Sequence, residues 1–215
     1  MGAISINHRQ PPFDNVLMRR ALQAALVRTE TLAAHCLPET MVQPECVSMF
    51  MCGAPFSTEA GSDIIRSPSI AKARDLLKQT GFNLNVQTSD WSSIAQRWNQ
   101  NEPVAKRGWN PVPVVYTGFD MSDPLGNPGI GFNCSDNKTW GYCTPALTPL
   151  IAACEADSDP AKRLVMAGQM QTLAYENINL PITGQFAAPA VWRAGLKGVV
   201  DLGFPITWNM ERAAK

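Results

Sequence analysis

Apolar and polar residues recur along the chain with two different periods. Alternation at every second residue predicts a half-buried strand over residues 3–7, whereas apolar residues three and four apart predict helices. Asp14, Asp90 and three pairs of Ser, Thr or Asp followed by Pro are typical helix starts. The predicted helices cover residues 14–34, 67–81, 90–98, 144–155 and 158–177, and further strands cover residues 84–88, 112–116, 181–183, 188–192 and 199–208. Strands and helices interleave, which predicts the mixed α/β class.

The same spacing indicates which helix faces are buried. In the first helix, Leu17 and Ala21 belong to the predicted buried stripe, and Arg19 lies on another face. In the last helix, Leu164 and Met170 are predicted to point inward. Both helices are therefore expected to be amphipathic and to cover a core.

Composition narrows the possible classes of protein. The chain has 215 residues, 45% of them apolar and 17% charged, which is typical of a folded domain. Eighteen basic residues balance eighteen acidic ones, so no basic surface is expected for nucleic acid or anionic lipid. No apolar run suits a membrane span, and the first residues lack signal-peptide features. We expect a cytoplasmic protein or a piece of a longer exported precursor.

The six cysteines favour the exported alternative. Cys46 and Cys52 are six positions apart, and Cys134 and Cys143 are nine apart. Neither spacing is that of a zinc site, and only two histidines are present. Two short-loop disulfides in an oxidising compartment are the simpler interpretation, and six reduced, packed thiols are the alternative. The other two cysteines, Cys36 and Cys154, lie in helical patterns and are expected to be packed thiols.

No catalytic motif is present. The segment 126–131 resembles a glycine-rich phosphate loop, but its prolines would break the helix that such a loop must precede. We therefore expect no enzyme activity, no catalytic residue, no cofactor and no metal. The rival hypothesis is a small secreted hydrolase that uses Asp90, Asp120 or Asp123.

Two long stretches, residues 37–66 and 99–143, are predicted to be irregular, and loops of this length often line a binding site. The second overlaps a stretch from Asp90 to Asp123 that is rich in aromatic and charged residues. Aromatic side chains with a few fixed charges suit an organic ligand with an amine or a carboxylate. The candidates in this stretch include Arg97, Trp109, Tyr116 and Asp120.

A series of short segments resembles the C-terminal lobe of the peptide/nickel-type (family 5) solute-binding proteins of ABC importers. The segments include Asn7-His8-Arg9-Gln10-Pro11-Pro12-Phe13-Asp14, Arg19-Arg20-Ala21-Leu22, Asp90-Trp91 followed by Arg97, Gly108-Trp109, Asp120 to Pro124, Trp140-Gly141-Tyr142 and Gln169 to Asn177. Each is weak alone, but together they occur in the family's order across nearly the whole chain. The two cysteine pairs also resemble those of a subgroup of the family.

The resemblance implies a fold and a function. The fold is one lobe of a type II periplasmic-binding protein, a mixed sheet flanked by helices, over residues 1–215. The function is binding of a peptide or other small organic solute, with an ABC permease as the partner of the complete protein. The expected location is the periplasm, or a lipid-anchored extracytoplasmic site. The ligand-binding set is Trp109, Tyr116, Asp120 and Arg97, in which Asp120 would meet a cationic group.

The chain departs from the family in two respects. The family's N-terminal lobe is absent, so weak binding at best is expected from this lobe alone. Gly81-Phe82 also runs almost directly into residues 83–86, where the family inserts a strand and a helix. This apparent deletion would leave a narrower sheet or an exposed edge. The exposed lobe interface leads to an alternative, a structural or interaction module that self-associates as a homodimer.

Overall fold

The structure, a computed structural model, describes residues 1–26, 32–33, 38–43, 46–66, 85, 87–100, 102–134, 141–200 and 206–212. The strands are β1 (Gly2–Ile6), β2 (Val42–Gln43), β3 (Pro111–Val115), β4 (Ile182–Phe186), β5 (Leu196–Lys197) and β6 (Glu211–Arg212). The helices are α1 (Val16–Ala25), α2 (Ser62–Arg66), α3 (Trp91–Trp98), α4 (Leu147–Ala156) and α5 (Pro160–Asn177). Two 3-10 turns are formed by Glu39–Met41 and Val104–Lys106.

The main sheet has four strands in the order β2-β4-β1-β3. β1 pairs antiparallel with β3, from Gly2 opposite Val115 to Ile6 opposite Pro111, and antiparallel with β4. β3 and β4 therefore run in the same direction on either side of β1, and their carboxyl ends lie at the same edge. Among the described residues β3 is an outer strand of this sheet, which is compatible with its two prolines.

One large core joins the sheet to the helices. Its buried side chains include Ala3, Met49, Phe50, Trp98, Trp109, Val114, Met121, Ile130, Leu147, Met170, Ala174, Tyr175 and Ile182. A smaller cluster of Ile6, Phe13 and Ile178 lies beneath α1. Residues of irregular segments contribute as much to the large core as residues of strands, so the loops are packed parts of the fold.

Side-chain caps fix where the helices begin. Asp90 accepts a hydrogen bond from the amide of Ser93 at the start of α3, and Asp159 accepts one from Ala161 at the start of α5. The predicted bounds of these two helices are confirmed. α1 is capped by Asn15 and not by Asp14, and it ends at Ala25. α4 begins at Leu147, three residues after the predicted start.

Other predicted elements differ or lie outside the described residues. Residues 188–192, 199–200 and 206–208 form no strand, and the last segment instead pairs β5 with β6. The strand predicted after residue 181 is confirmed and extends to Phe186. The helix predicted over residues 67–81, the apparent deletion at Phe82 and Cys36 lie outside the described residues.

The buried face of α1 contains an arginine, contrary to the sequence prediction. Arg19 is 6% exposed, while Leu17 is 63% exposed. The guanidinium of Arg19 donates from Nε to the carbonyl of Asn177 at 2.8 Å and from Nη1 to the carbonyl of Phe13 at 2.8 Å. Asn177 ends α5, where carbonyl groups have no partner within the helix and the helix dipole is negative. The cation is therefore buried because it caps α5.

The buried face of α5 also differs from the face that its apolar pattern predicts. Met170 is buried as predicted, but Leu164 is half-exposed. The buried face instead includes the polar Gln171 beside Ala174 and Tyr175. Gln171 occupies a core position on this helix because the backbone of an irregular segment packs against it.

We expect acid to destabilise the fold through His8. Its Nε2 donates to the carbonyl of Ile178 at 3.1 Å, and burial, together with the nearby charge of Arg19, lowers the pKa of His8 to about 3. Below the ordinary value near 6.5, the unfolded chain binds a proton that the folded chain does not, so stability falls as the pH falls. Between pH 7.5 and pH 4.5 the loss should approach about 2–3 kcal/mol relative to a His8→Gln variant.

Urea unfolding of both proteins across this pH range measures the difference. The His8→Gln variant loses a hydrogen bond at every pH, but its stability should depend less on pH than that of the parent. His35 is present in both proteins, so its titration cancels. Parallel pH profiles would contradict a neutral, buried His8.

Candidate functional site

The four residues predicted to bind ligand lie in two groups at opposite ends of β3. Arg97 and Trp109 are near its first residue, whereas Tyr116 and Asp120 follow its last residue. A strand rises about 3.3 Å per residue, so the five residues of β3 separate the two groups by about 17 Å. The four side chains therefore do not form one cluster.

Trp109 and Arg97 support the start of β3. Trp109 is 4% exposed and packs edge-on against Trp98, with ring centroids 6.0 Å apart. Arg97 donates from Nε and Nη2 to the carbonyl of Gly108 at 3.2 and 3.0 Å, and from Nη1 to Gln87. The indole of Trp109 is buried, and the guanidinium of Arg97 is engaged in these hydrogen bonds. Neither group is therefore available to contact a ligand. Both residues therefore act as structural supports in this arrangement.

Asp120 lies in a turn directly after β3. Its Oδ2 accepts hydrogen bonds from the amide and the hydroxyl of Thr117 at 2.9 and 2.8 Å, and its own amide donates to the Thr117 hydroxyl at 3.2 Å. No described residue donates a hydrogen bond to its other oxygen, Oδ1. The turn thus holds a half-exposed carboxylate rigidly through one oxygen and leaves the second for another donor.

Tyr116 precedes this turn and is half-buried. Its amide donates to the carbonyl of Met1 at 2.8 Å, which continues the pairing of β3 with β1. Burial, together with the negative charge of Asp120, raises the pKa of Tyr116, so its phenol remains protonated at neutral pH. Tyr116 therefore has a neutral, buried hydroxyl and a partly exposed ring near the carboxylate.

The cysteines form the two pairs that the sequence predicts. Cys46 is bonded to Cys52 with Cα atoms 6.3 Å apart, and Cys134 is bonded to Cys143 with Cα atoms 4.2 Å apart. Cys154 is a buried free thiol, as expected. The first pair closes a loop, residues 46–52, that we call the first disulfide loop.

A buried glutamine holds both this loop and the segment that follows it. The Oε1 atom of Gln171 accepts from the amide of Met49 at 2.9 Å and from the hydroxyl of Ser48 at 3.2 Å. Its Nε2 atom donates to the carbonyls of Thr58 and Ala60 at 2.9 and 2.8 Å. One side chain of α5 therefore satisfies polar groups of an irregular segment that has no sheet or helix to satisfy them.

A second glutamine, on β4, holds the other half of the first disulfide loop. The Oε1 atom of Gln185 accepts from the amide of Cys52 at 2.9 Å, and its Nε2 atom donates to the carbonyl of Phe50 at 2.8 Å. These residues flank Met51. The sequence prediction missed both glutamines, because a buried polar residue in a helix or strand has no distinctive pattern.

The first disulfide loop packs directly against the chain around Asp120. The amide of Met51 donates to the carbonyl of Met121 at 2.9 Å, and Asn127 donates from Nδ2 to the carbonyl of Met49 at 2.9 Å. A methyl group added at Gly118 would overlap the sulfur atom of Met51. The two loops therefore form one surface at the edge where the carboxyl ends of β3 and β4 meet.

Asp123 serves this packing and not a reaction. Its Oδ2 lies 2.9 Å from Nη2 of Arg163 on α5, and the guanidinium of Arg163 lies 5.2 Å from the centre of the Phe56 ring. Asp123 thus links the Asp120 turn to α5. Its carboxylate is already engaged, which disfavours a role as a general base.

Asp90 is likewise a structural residue. It accepts hydrogen bonds from the hydroxyls of Ser92 and Ser93 and from the amide of Ser93, and these bonds hold its pKa well below the usual range. A carboxylate fixed in its charged form at a helix start cannot act as a general acid near neutral pH. Together with the engagement of Asp123, this arrangement disfavours the hydrolase hypothesis.

Other kinds of site are not evident in the described part of the chain. Its His, Cys, Asp and Glu residues form no group of three that would hold a metal ion. Within the same ranges, no helix combines the length and apolarity needed to cross a bilayer. A shallow, open groove lies on α5 and is lined by Thr58, Ala60, Leu164, Val165, Gly168, Gln169 and Thr172. It contains none of the predicted ligand-binding residues.

Comparison with curated proteins finds distant relatives of one kind, although no protein-family model matches the chain. A probable peptide ABC transporter periplasmic-binding protein of Sinorhizobium fredii is 23% identical over 64% of this chain and 26% of its own length. A probable di/tripeptide-binding protein of Pseudomonas aeruginosa is 23% identical over 80% of this chain and 38% of its own length. The glutathione-binding protein GsiB of Salmonella typhimurium is 33% identical over 42% of this chain and 16% of its own length.

Solved structures show the same fold. The ABC transporter substrate binding protein CtaP of Listeria monocytogenes matches 86% of this chain with a TM-score of 0.66 at 16% identity. A dipeptide binding protein of Pseudoalteromonas, solved with Met-Leu, matches 99% of this chain with a TM-score of 0.62 at 18% identity. The chain spans 43% and 48% of these two proteins. It therefore has the mixed α/β fold of part of an oligopeptide-type periplasmic-binding protein.

We expect Gln171→Leu to destabilise the fold by about 3 kcal/mol, because it leaves buried donors and acceptors of the loop without partners. Gln169→Leu is the matched control, since Gln169 is exposed on the same helix and the same change should cost less than about 0.5 kcal/mol. Denaturant unfolding measures both changes. Equal effects from the two substitutions would contradict the anchoring role of Gln171.

We expect two reactive thiols per chain when the protein is denatured without reductant, and six after reduction, since four of the six cysteines are paired. A colorimetric thiol assay in guanidinium counts them. Reduction of each bond should lower the free energy of unfolding by about 2–3 kcal/mol, because each closes a short loop of the unfolded chain. Six reactive thiols before reduction would contradict both the pairing and the oxidising compartment.

Proposed function

We propose that this chain is the C-terminal ligand-binding lobe of a solute-binding protein of an ABC importer. In this role it binds a peptide or a related small organic solute and carries out no reaction. Two of the curated relatives are named as binding proteins for peptides and one as a binding protein for glutathione, and the solved proteins share the fold. The location that fits these relatives is the periplasm or a lipid-anchored site outside the cytoplasm.

The carboxylate of Asp120 is the observation that carries the proposal. It lies at the carboxyl edge of the sheet, is held by Thr117 through Oδ2, and accepts no hydrogen bond at Oδ1 from the described residues. The carboxylate favours cationic groups at this edge, where the ammonium group of Met1 also lies and donates to the carbonyl of Tyr116 at 2.7 Å. The ammonium group of a peptide fits, since a charge-assisted hydrogen bond to Oδ1 would complete the site.

The rest of the proposed site differs from the sequence prediction. Tyr116 remains a proposed wall beside Asp120, whereas we leave Trp109 and Arg97 outside because they support the start of β3. A second, N-terminal lobe would close over this edge in the complete protein, and the closed form would deliver the solute to the permease. This lobe alone should therefore bind weakly, with only part of the contacts made. Self-association through the same exposed edge stays a prediction.

Asp120→Asn tests the proposal with the dipeptide Met-Leu. The substitution keeps the hydrogen-bonding shape and removes the charge, so we expect affinity for Met-Leu to fall by about tenfold or more. Asp14→Asn is the matched control, because Asp14 is exposed and lies at the opposite end of the sheet, before α1. Ligand-observed NMR titration measures weak affinities, and the same spectra show whether the peptide bond is cleaved.

Two results would contradict the proposal. Equal affinity of Asp120→Asn and the parent chain would remove Asp120 from the site. Release of free methionine and leucine, abolished by one Asp→Asn change, would favour the hydrolase instead.

A further inference from the structure

Met51, in the first disulfide loop, lies beside the Asp120 turn. Its backbone amide is bonded to the carbonyl of Met121, one residue after Asp120, and its sulfur atom covers Gly118, two residues before it. Met51 therefore contacts the Asp120 turn on both sides of the carboxylate.

The exposure of Met51 contrasts with that of its neighbours. Residues 47–50 are buried, but Met51 is 38% exposed, and Phe119 in the adjacent turn is 66% exposed. Two large apolar side chains on neighbouring loops thus border a single half-exposed carboxylate. The exposure of Met51 is not a result of loose structure, because Gln185 holds the carbonyl of Phe50 and the amide of Cys52 on either side of it.

We propose that Met51, together with Phe119, forms the apolar wall of a subsite beside Asp120 that selects ligands in which an ammonium group is next to an apolar side chain. The inference rests on the proposed function and adds to it the class of ligand. The ammonium group binds Oδ1 of Asp120, and the neighbouring side chain lies on the thioether of Met51 and the ring of Phe119.

The chemistry of the wall explains the selection. An apolar side chain gains free energy in proportion to the apolar area that it buries against Met51 and Phe119. A polar side chain at the same place loses water without finding a hydrogen-bond partner on either apolar side chain, so it gains less or nothing. Methionine is flexible and polarizable, so the wall should accept several apolar shapes and not one alone.

The test compares three peptides on the 215-residue chain. Met-Leu has both features, Ser-Leu lacks the apolar first side chain, and N-acetyl-Met-Leu lacks the ammonium group. We expect Met-Leu to bind about fivefold more tightly than Ser-Leu, and N-acetyl-Met-Leu to bind at least tenfold more weakly than Met-Leu. Ligand-observed NMR gives the affinities. In a chain labelled with methyl-¹³C methionine, the Met51 resonance is assigned as the one that is missing from the Met51→Leu variant. Its chemical shift should change when Met-Leu is added to the parent chain.

Substitution of Met51 shows whether its side chain selects the ligand or only supports the Asp120 turn. Met51→Ala should lower the affinity for Met-Leu about fivefold and that for Ser-Leu less than twofold, because it removes the apolar contact and leaves the backbone bond to Met121. Met51→Leu, which keeps apolar area, should retain most of the preference. Leu17→Ala is the control, since Leu17 is an exposed apolar residue on α1, at the opposite end of the sheet.

The outcomes distinguish this inference from the function on which it rests. If Asp120→Asn weakens all binding but Met51→Ala leaves the preference for Met-Leu unchanged, the subsite is overturned and the proposed function stands. If Met51→Ala weakens Met-Leu and Ser-Leu equally, Met51 only supports the turn, and the selective role is overturned. If no dipeptide with a free ammonium group binds the parent chain, both proposals fail.

Discussion

The carboxamide of Gln171 is the interaction on which the arrangement of the site loops depends. The segment from Ser48 to Ala60 forms no strand or helix, and its backbone groups need hydrogen-bond partners from elsewhere. Gln171 bonds to three of these groups and to the hydroxyl of Ser48 from a single position on α5, and its own burial is tolerated because every polar atom of its carboxamide is used. Without this contact, hydrogen bonds among the described residues would hold the segment near the Asp120 turn only through Met121, Asn127 and Gln185.

The topology of the sheet explains why the site lies where it does. β1 is antiparallel to both neighbours, so β3 and β4 bring their carboxyl ends to one edge. The Asp120 turn follows β3, and Gln185 on β4 reaches the first disulfide loop at the same edge. Two loops distant in sequence therefore meet because of strand direction, and short side-chain bonds then fix their contact.

The sequence predicts the helices that have strong local starts and predicts buried polar positions poorly. α3 and α5 match their predicted bounds because Asp90 and Asp159 cap them through contacts within a few residues. Arg19 is buried because it donates a hydrogen bond to Asn177, a residue 158 positions away. A pattern of apolar residues within one helix cannot predict such a distant contact. The burial of Trp109 has the same cause, since its contact with Trp98 depends on how α3 packs against the start of β3. Asp120 is held by Thr117, three residues away, and its contact with a ligand stays a prediction.

On the surface formed by the two loops, the residues that hold the backbone differ from the residues proposed to contact the solute. Gln171, Gln185 and the Cys46–Cys52 bond fix the loop, while Met51 and Phe119 expose side chains that contribute little to the packing of the core. A change at an exposed side chain alters the apolar area offered to a ligand at little cost in stability, whereas a change at a buried anchor displaces the whole loop. Substitutions at Met51 and Phe119 can therefore change the exposed apolar area of this surface while the fold and the carboxylate of Asp120 stay in place.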